Sequence, residues 1–393
     1  VYLSMSDESI LVVDIGSSSV KAGHSGEDIP SYVFPATIAK GTNQSSESVE
    51  AFPSELAQLV TSQYVNNHSS HPIYRGIVQD WDEMENLWKH VADTVGLSQK
   101  NTDGTDNWNT AESTSVFMVE SNKASVQDRS KWAEILFETY HAPSICFGNS
   151  SVLSLFASGR TSGLAVECGA GSTSTVPIFE GLPLHHAVIC MDHGGQDISY
   201  NLKKLFNDRN IAIDMFSAKT VKERLSFAQG FTSKDLPHTT DTTTSFSLPD
   251  GQDVTVDSRI FSACAESLFV KDENGNGGLV NQVYESIALC DESVRRDLAG
   301  AIILSGGTSM LAGTGDRLHR DLIRKIQTEQ MNVSCLVVPT TQYREKGYST
   351  QRKFAPWIGG SLMGSFDTYH KSLKITRQEW EENPDMVLAT KSV

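Results

Sequence analysis

Apolar runs alternate along the chain with polar, glycine-rich breaks. Ile10-Leu11-Val12-Val13 is a continuous apolar run that stops at Asp14, and its length and branched side chains predict a buried strand. Val20-Lys21-Ala22-Gly23 reads as its hairpin return. The same order of events recurs about 150 residues later. Gly163-Leu164-Ala165-Val166 stops at Glu167, a small-residue turn follows, and Ser174-Thr175-Val176-Pro177-Ile178 returns. A third apolar strand, Ile303-Leu304, breaks into Ser305-Gly306-Gly307-Thr308-Ser309 and precedes a helix near Asp316. The repeated unit predicts two like-folded halves facing each other across a cleft.

Helical periodicity appears elsewhere. Trp81 to Trp88 starts an amphipathic helix, with Asp80 or Asp82 near its cap. Ser130 to Tyr140 is helical in pattern, and Val152 to Ser158 follows as a second helix buried by its Leu and Phe content. Polar segments interrupt these elements. Gly41 to Ser48 and residues 98–113 read as exposed loops. Asp235 to Ser247 is rich in Thr and Ser and yields to a turn at Leu248-Pro249-Asp250-Gly251-Gln252. Lys271 to Gly278 is another polar loop. A chain of 393 residues is long for one core, so two large lobes are expected.

Composition narrows the function classes. The hydrophobic share is 39% and the aromatic share 8%, as in a soluble globular protein. No run approaches the roughly 18 apolar residues of a membrane span, so no membrane partner is expected. The start of the chain has neither a basic region nor an apolar core, so no secretory signal is expected there. Acidic residues outnumber basic ones 48 to 32, giving a net charge of -16. Such a surface cannot neutralise phosphates in bulk, so direct nucleic-acid binding is not expected. The six cysteines form no C-x-x-C pair and read as buried free thiols of a reducing compartment, cytosol or nucleus.

The turns carry the candidate chemistry. Phosphate oxygens need several N–H donors converging on one point, and small residues let the backbone approach. Turns at Gly16-Ser17-Ser18-Ser19 and Gly169-Ala170-Gly171-Ser172-Thr173, one from each half, could grip a polyphosphate from both sides. Lys21 adds charge to the first turn. Asp14 and Glu167, each at a strand end, could hold the water shell of Mg²⁺. A single Gly/Ser hairpin is more often only structural; the recurrence of strand, acid, one residue and Gly carries the reading. The sequence lacks both the Walker A pattern and the Rossmann fingerprint.

The chain resembles actin and the actin-related proteins over nearly its full length. Matching strings include Asp14-Ile-Gly-Ser17 with Lys21-Ala-Gly23, Gly76-Ile-Val-Gln-Asp-Trp81-Asp, Val152-Leu-Ser-Leu-Phe-Ala-Ser-Gly-Arg160-Thr and Thr175-Val-Pro-Ile-Phe-Glu-Gly181. Leu248-Pro-Asp-Gly-Gln252, Leu304-Ser-Gly-Gly-Thr308 and Trp357-Ile-Gly-Gly-Ser361 continue the match in order. The resemblance implies an α/β, two-lobed actin-like ATPase fold shared with heat-shock chaperone ATPases and sugar kinases, with four subdomains around a nucleotide cleft. It divides the chain into residues 1–35, 72–157 and 355–393 (subdomain 1), 36–71 (subdomain 2), 158–193 and 279–354 (subdomain 3), and 194–278 (subdomain 4). It implies ATP or ADP with Mg²⁺ as ligands. Gly16, Ser17, Ser18 and Lys21 match the first phosphate loop, and Gly169, Ala170, Gly171, Ser172 and Thr173 the second. Gly195 joins the nucleotide set. Lys222 and Glu223 match the residues beside ribose and adenine; Gly306, Gly307, Thr308, Met310 and Lys353 match the adenosine pocket. On their own, Lys222 and Glu223 would read as solvated charge on a helix.

The departures from the family fall on the chemistry. Ser150 stands where actin has the Gln that orients the attacking water, and Ser174 where it has a His that helps place that water. Actin's metal-side Asp is lengthened to Glu167, and the next Asp of that loop is Ala170. Phosphoryl transfer depends on positioning and charge stabilisation, so the expectation is an ATP binder that hydrolyses slowly or not at all. The loop that inserts into the next actin subunit maps into residues 37–70 without matching sequence, and Lys271 to Gly278 replaces an apolar plug. Conventional homofilaments are therefore not expected. The Glu167–Thr173 loop and the Gly278–Ile287 stretch look most like the nuclear actin-related protein of chromatin-remodelling and histone-acetyltransferase complexes. That likeness implies a scaffold subunit of a multiprotein assembly in the nucleus, paired with actin on a helix of a scaffold ATPase. The large insertion usual in that type is absent here. A cytoskeletal filament ATPase, or a cytoplasmic dynein-adaptor or axonemal subunit, is the alternative.

Overall fold

The computed structural model describes residues 9–42, 48–51, 69–97, 99–100, 106–107, 113–231, 233, 242–248, 251–271, 278–366 and 372–391. Two sheets dominate it. In the first, the strands run in the order Ile375–Thr376, Ser144–Asn149, Thr114–Glu120, Ser9–Ile15, Ser19–His24 and Tyr32–Pro35. In the second the order is Val337–Val338, Ile302–Ser305, Gly163–Cys168, Thr173–Phe179 and Leu182–Pro183, with Ile189–Met191 also pairing to Thr173–Phe179. Each sheet is built around the same unit. A hairpin's first strand pairs antiparallel with its return and parallel with a strand from much later in the chain. The two apolar-run hairpins of the sequence are thus the central pieces of two lobes.

Strand alternation explains how each sheet is covered. Successive side chains point to opposite faces. Leu11 and Val13 join the outer core of the first lobe, while Ile10 and Val12 face a second cluster with Phe117, Leu153 and Trp357. Leu164 and Val166 likewise enter the large core of the second lobe, while Ala165 faces Val152, Leu155 and Ile303. The helix Ser150–Ala157 therefore serves both sheets, with Leu153 on one and Val152 and Leu155 on the other. The helix Ala355–Gly364 crosses it, and Trp357 Nε1 donates to the Val12 carbonyl at 2.9 Å. The crossing is a backbone contact. A Cβ on Gly359 would lie 2.0 Å from the Leu153 carbonyl oxygen, and one on Gly360 would lie 2.9 Å from Val12 Cγ1.

The local expectations meet several outcomes. Asp80 is the cap of the helix Trp81–Thr94, accepting from Asp82 N and Glu83 N. The helix expected from Ser130 begins earlier, at Val126, because Ser125 and Asp128 form a reciprocal capping box; it ends in a π turn over Ile135–Thr139. Gly41 and Thr42 belong to the strand Ile38–Thr42, and Thr243–Ser247 pairs with Asp253–Asp257, so these polar stretches are partly strand rather than loop. Gln99–Lys100 and Asp106–Asn107 also pair. Ser48 likewise begins the strand Ser48–Ala51, opposite Thr42; most of the remainder of the expected loops at 41–48, 98–113, 235–247 and 271–278 lies outside the described residues. The turn at 248–252 is closed by Leu248 N donating to Gln252 O at 2.8 Å. All six thiols are free, but Cys190 is exposed and Cys335 only half-buried, against the expectation of buried cysteines.

The crossing helices generate a prediction. Gly359→Ala places a methyl against the Leu153 carbonyl, where neither backbone can retreat without moving a lobe. We expect a loss of about 2 kcal/mol or more in denaturant unfolding, with Gly307→Ala, where an added Cβ would meet nothing within 4 Å, as the milder comparison.

Candidate functional site

The carboxyl ends of the parallel strands converge on one cleft of about 700 Å³, within the usual size range for ligand sites. Strand ends of open α/β sheets commonly gather ligands in this way. Ser9–Ile15 delivers Asp14 and Gly16; Thr114–Glu120 delivers Asn122; Ser144–Asn149 delivers Ser150. From the opposite lobe, Gly163–Cys168 delivers Glu167 and Gly169, and Ile302–Ser305 delivers Gly306.

The two turns meet. A Cβ on Gly171 would lie 2.8 Å from Ser17 Oγ, so only glycine allows this approach. Their carbonyls are turned into the protein. Gly169 O accepts from Gly195 N at 3.0 Å and Thr308 Oγ1 at 2.7 Å; Ala170 O accepts from Gln196 N at 2.8 Å; Gly171 O accepts from Arg75 at 3.0 Å. On the first turn, Ser18 O accepts from Ala36 N at 3.1 Å and Ser17 O from Gln196 Nε2 at 3.4 Å. Gly16 N and Gly169 N close the turns onto Ser19 O at 3.0 Å and Ser172 O at 2.9 Å, and with these carbonyls engaged the other turn amides are the groups that could meet a ligand. That is the polarity an anion requires. Gly306 has φ +81° and a Cβ there would sit 2.4 Å from Cys168 O, so the third turn also depends on glycine.

Register places the charges. Asp14 stands opposite Lys21, and their side chains pair at 3.0 Å. Glu167 stands opposite Ser174. Its Oε2 accepts from Ser150 Oγ at 2.6 Å, Ser151 Oγ at 3.3 Å and Asn122 Nδ2 at 3.2 Å. Burial, aided by the nearby Asp14, pushes the Glu167 carboxyl above the ordinary carboxylate range, while the Ser150 bond and Lys21 pull it back. Asn122 Nδ2 also reaches Ser174 Oγ at 2.8 Å and Ser151 Oγ at 2.9 Å, yet its buried Oδ1 has no partner among the described residues. Two mutually unfavourable carboxylates, an unsatisfied amide carbonyl and the serine hydroxyls beside them are oxygen groups of the kind a hydrated hard cation such as Mg²⁺ takes.

Side chains bridge the lobes around the turns. Arg75 forms a bidentate pair with Asp197, at 2.5 and 2.7 Å, beside its bond to Gly171. Lys123 pairs with Asp192. Lys219 Nζ donates to Ser18 Oγ at 2.9 Å. Lys222 is only 8% exposed and donates to Gly195 O at 2.9 Å. Burial, with Lys219 nearby, brings its ammonium down to about 8 against the pull of Glu223.

All the residues expected at the site line this cleft except one. Gly16, Ser17, Ser18, Lys21, Gly169, Ala170, Gly171 and Ser172 form the jaws, with Asp14, Glu167, Ser150 and Ser174 at their base. Gly195, Lys222, Glu223, Gly306, Gly307, Thr308, Met310 and Lys353 line the remainder. Thr173 does not join them; it is fully buried, and its hydroxyl donates to His193 O at 2.8 Å. The sequence reading missed Asn122, Arg75, Asp197, Gln196 and Lys219. Lys219 had a signal, since it precedes Lys222 by one helical turn and shares its face. The others reach the site from segments with no local pattern.

Two predictions follow from this geometry. Arg75→Met leaves Asp197 without its cation and should cost about 1–3 kcal/mol in equilibrium unfolding. For Lys222 the folded state holds its proton less tightly than the unfolded chain, so between pH 8 and 10.5 the unfolded state binds more protons. Stability from this group therefore rises with pH across that window. Compared with Lys222→Met, the wild type should gain up to about 3 kcal/mol there, measured by denaturation at stepped pH.

The family model described as Actin matches residues 5–242 and 214–392, which together span almost the whole chain. The match covers both lobes, both turns and the residues between them. The chain belongs to the actin family.

Proposed function

We propose that this chain binds ATP, or ADP, with Mg²⁺ as a structural ligand and hydrolyses it weakly or not at all. Proteins of this family generally bind nucleotide and Mg²⁺. The residues here suit both. The N–H sides of the two turns and Lys21 would hold the polyphosphate, while Lys222, Glu223, Gly306 to Met310 and Lys353 would surround the nucleoside. Asp14 and Glu167 would hold the metal through its waters, and bound Mg²⁺ would neutralise phosphate charge.

One observation carries the weak-hydrolysis reading. Ser150 Oγ donates to Glu167 at 2.6 Å, and Ser174 Oγ is held by Asn122 at 2.8 Å. The side chains at the two water-positioning places are short hydroxyls already engaged with the protein's own groups. Their reach is too small to orient a water at the end of a polyphosphate. Loss of such a group commonly costs about two to four powers of ten in rate. The chain should bind ATP in calorimetry while single-turnover hydrolysis runs at least about a hundredfold below that of conventional actin. Hydrolysis at the actin rate would overturn this reading.

We infer a scaffold role on the same basis. A nucleotide that is not consumed fixes the lobes and presents a constant surface. The expected setting is a nuclear chromatin-remodelling or histone-acetyltransferase complex, with actin and a scaffold-ATPase helix as partners. This is supported by the Glu167–Thr173 loop and the Gly278–Ile287 stretch. Affinity purification from cells should return remodeller subunits; recovery of filament regulators or motor-complex subunits instead would sink it.

A further inference from the structure

We propose that Lys219 is a further polyphosphate-binding residue, a cation carried by the second lobe onto the phosphate turn of the first; the inference rests on the nucleotide reading above. Lys219 sits on the helix Met215–Leu225, one turn before Lys222, and lines the same cleft. Its Nζ crosses between the lobes to lie 2.9 Å from Ser18 Oγ, in the first glycine-serine turn. Among the described residues no carboxylate stands within ion-pair distance of it, and the Ser18 hydroxyl is its only hydrogen-bond partner. That sets it apart from three cations beside the turns. Lys21 is paired with Asp14, Arg75 with Asp197 and Lys123 with Asp192.

An uncompensated ammonium inside a cleft is costly unless an anion meets it. Its field is felt on both sides. Lys219 helps to hold His71, in the first lobe, below its ordinary value, after the larger effect of burial. It acts in the same direction on Lys222. A polyphosphate on the first turn would relieve both repulsions. It would accept from Lys219 in place of the Ser18 hydroxyl, and because the lysine belongs to the other lobe, that contact would draw the cleft shut. A neutral hydroxyl is a weaker partner than a phosphate oxygen for an ammonium.

The test is calorimetry on the full chain with ATP, ADP and adenosine as separate probes. Lys219→Ala should weaken ATP and ADP by about tenfold or more, leave adenosine within about threefold, and not lower the thermal midpoint of the unliganded protein. Lys219→Arg should recover most of the lost affinity. Unaltered ATP affinity in Lys219→Ala overturns the proposal, as does an equal loss for adenosine, which would mean that the helix itself had shifted. Absence of ATP binding by the wild type would instead remove the nucleotide reading beneath it, before any variant is compared.

Discussion

The contact on which the rest of this structure depends is the crossing of two helix backbones, with Gly359 against the Leu153 carbonyl. Each helix follows strands of one lobe and packs on the sheet of the other. Only a residue without a side chain permits that depth of approach, and the approach sets the distance between the sheets. Everything in the cleft inherits its position from it. The turns meet, Ser17 faces Gly171, and Asp14 and Glu167 share one end of the cleft, because two separate sheets are held at a single spacing.

Around this fixed point the cleft is organised by the direction of peptide groups rather than by side-chain charge. The carbonyls of both turns are taken up by Gly195, Gln196, Thr308, Arg75 and Ala36. A turn whose oxygens are occupied keeps those oxygens from repelling an anion and leaves its remaining N–H groups as the ones that could meet it. This explains how a chain with a net charge of -16 can offer a site for an anion. The acidic surface is far-field and screened, whereas the amides act at contact distance. The carboxylates within the cleft are restrained as well, one by Lys21 and the other by serine hydroxyls.

The hairpins, the turns and the repeated strand-acid-glycine unit were legible because each is written in consecutive residues. Apolar length marks a strand, and a following acid and glycine mark its end. The bridges between lobes were not legible. Arg75 meets Asp197, and Asn122 meets Glu167, across long stretches of intervening chain, and no local pattern announces either. Lys222 shows the opposite failure. Its sequence neighbourhood of Lys, Glu and Arg suggests a solvated face, but the helix Met215–Leu225 turns that residue inward against Gly195. The family resemblance corrected this where composition could not. Thr173 shows a limit of resemblance itself, since the turn continues through it while its hydroxyl leaves the cleft for His193.

The crossed helices also settle which movements remain open to the molecule. Two bodies joined by two strands of chain at one crossing cannot slide apart or shear without breaking the packing of Leu153 and Trp357. What is left is a rotation about the line of the crossing. Such a joint works as a lever with a short arm at Gly359 and a long arm at the mouth of the cleft. A displacement too small to disturb the core becomes a larger one where Lys219 faces Ser18, so the chain can remain rigid at its centre and responsive at its rim.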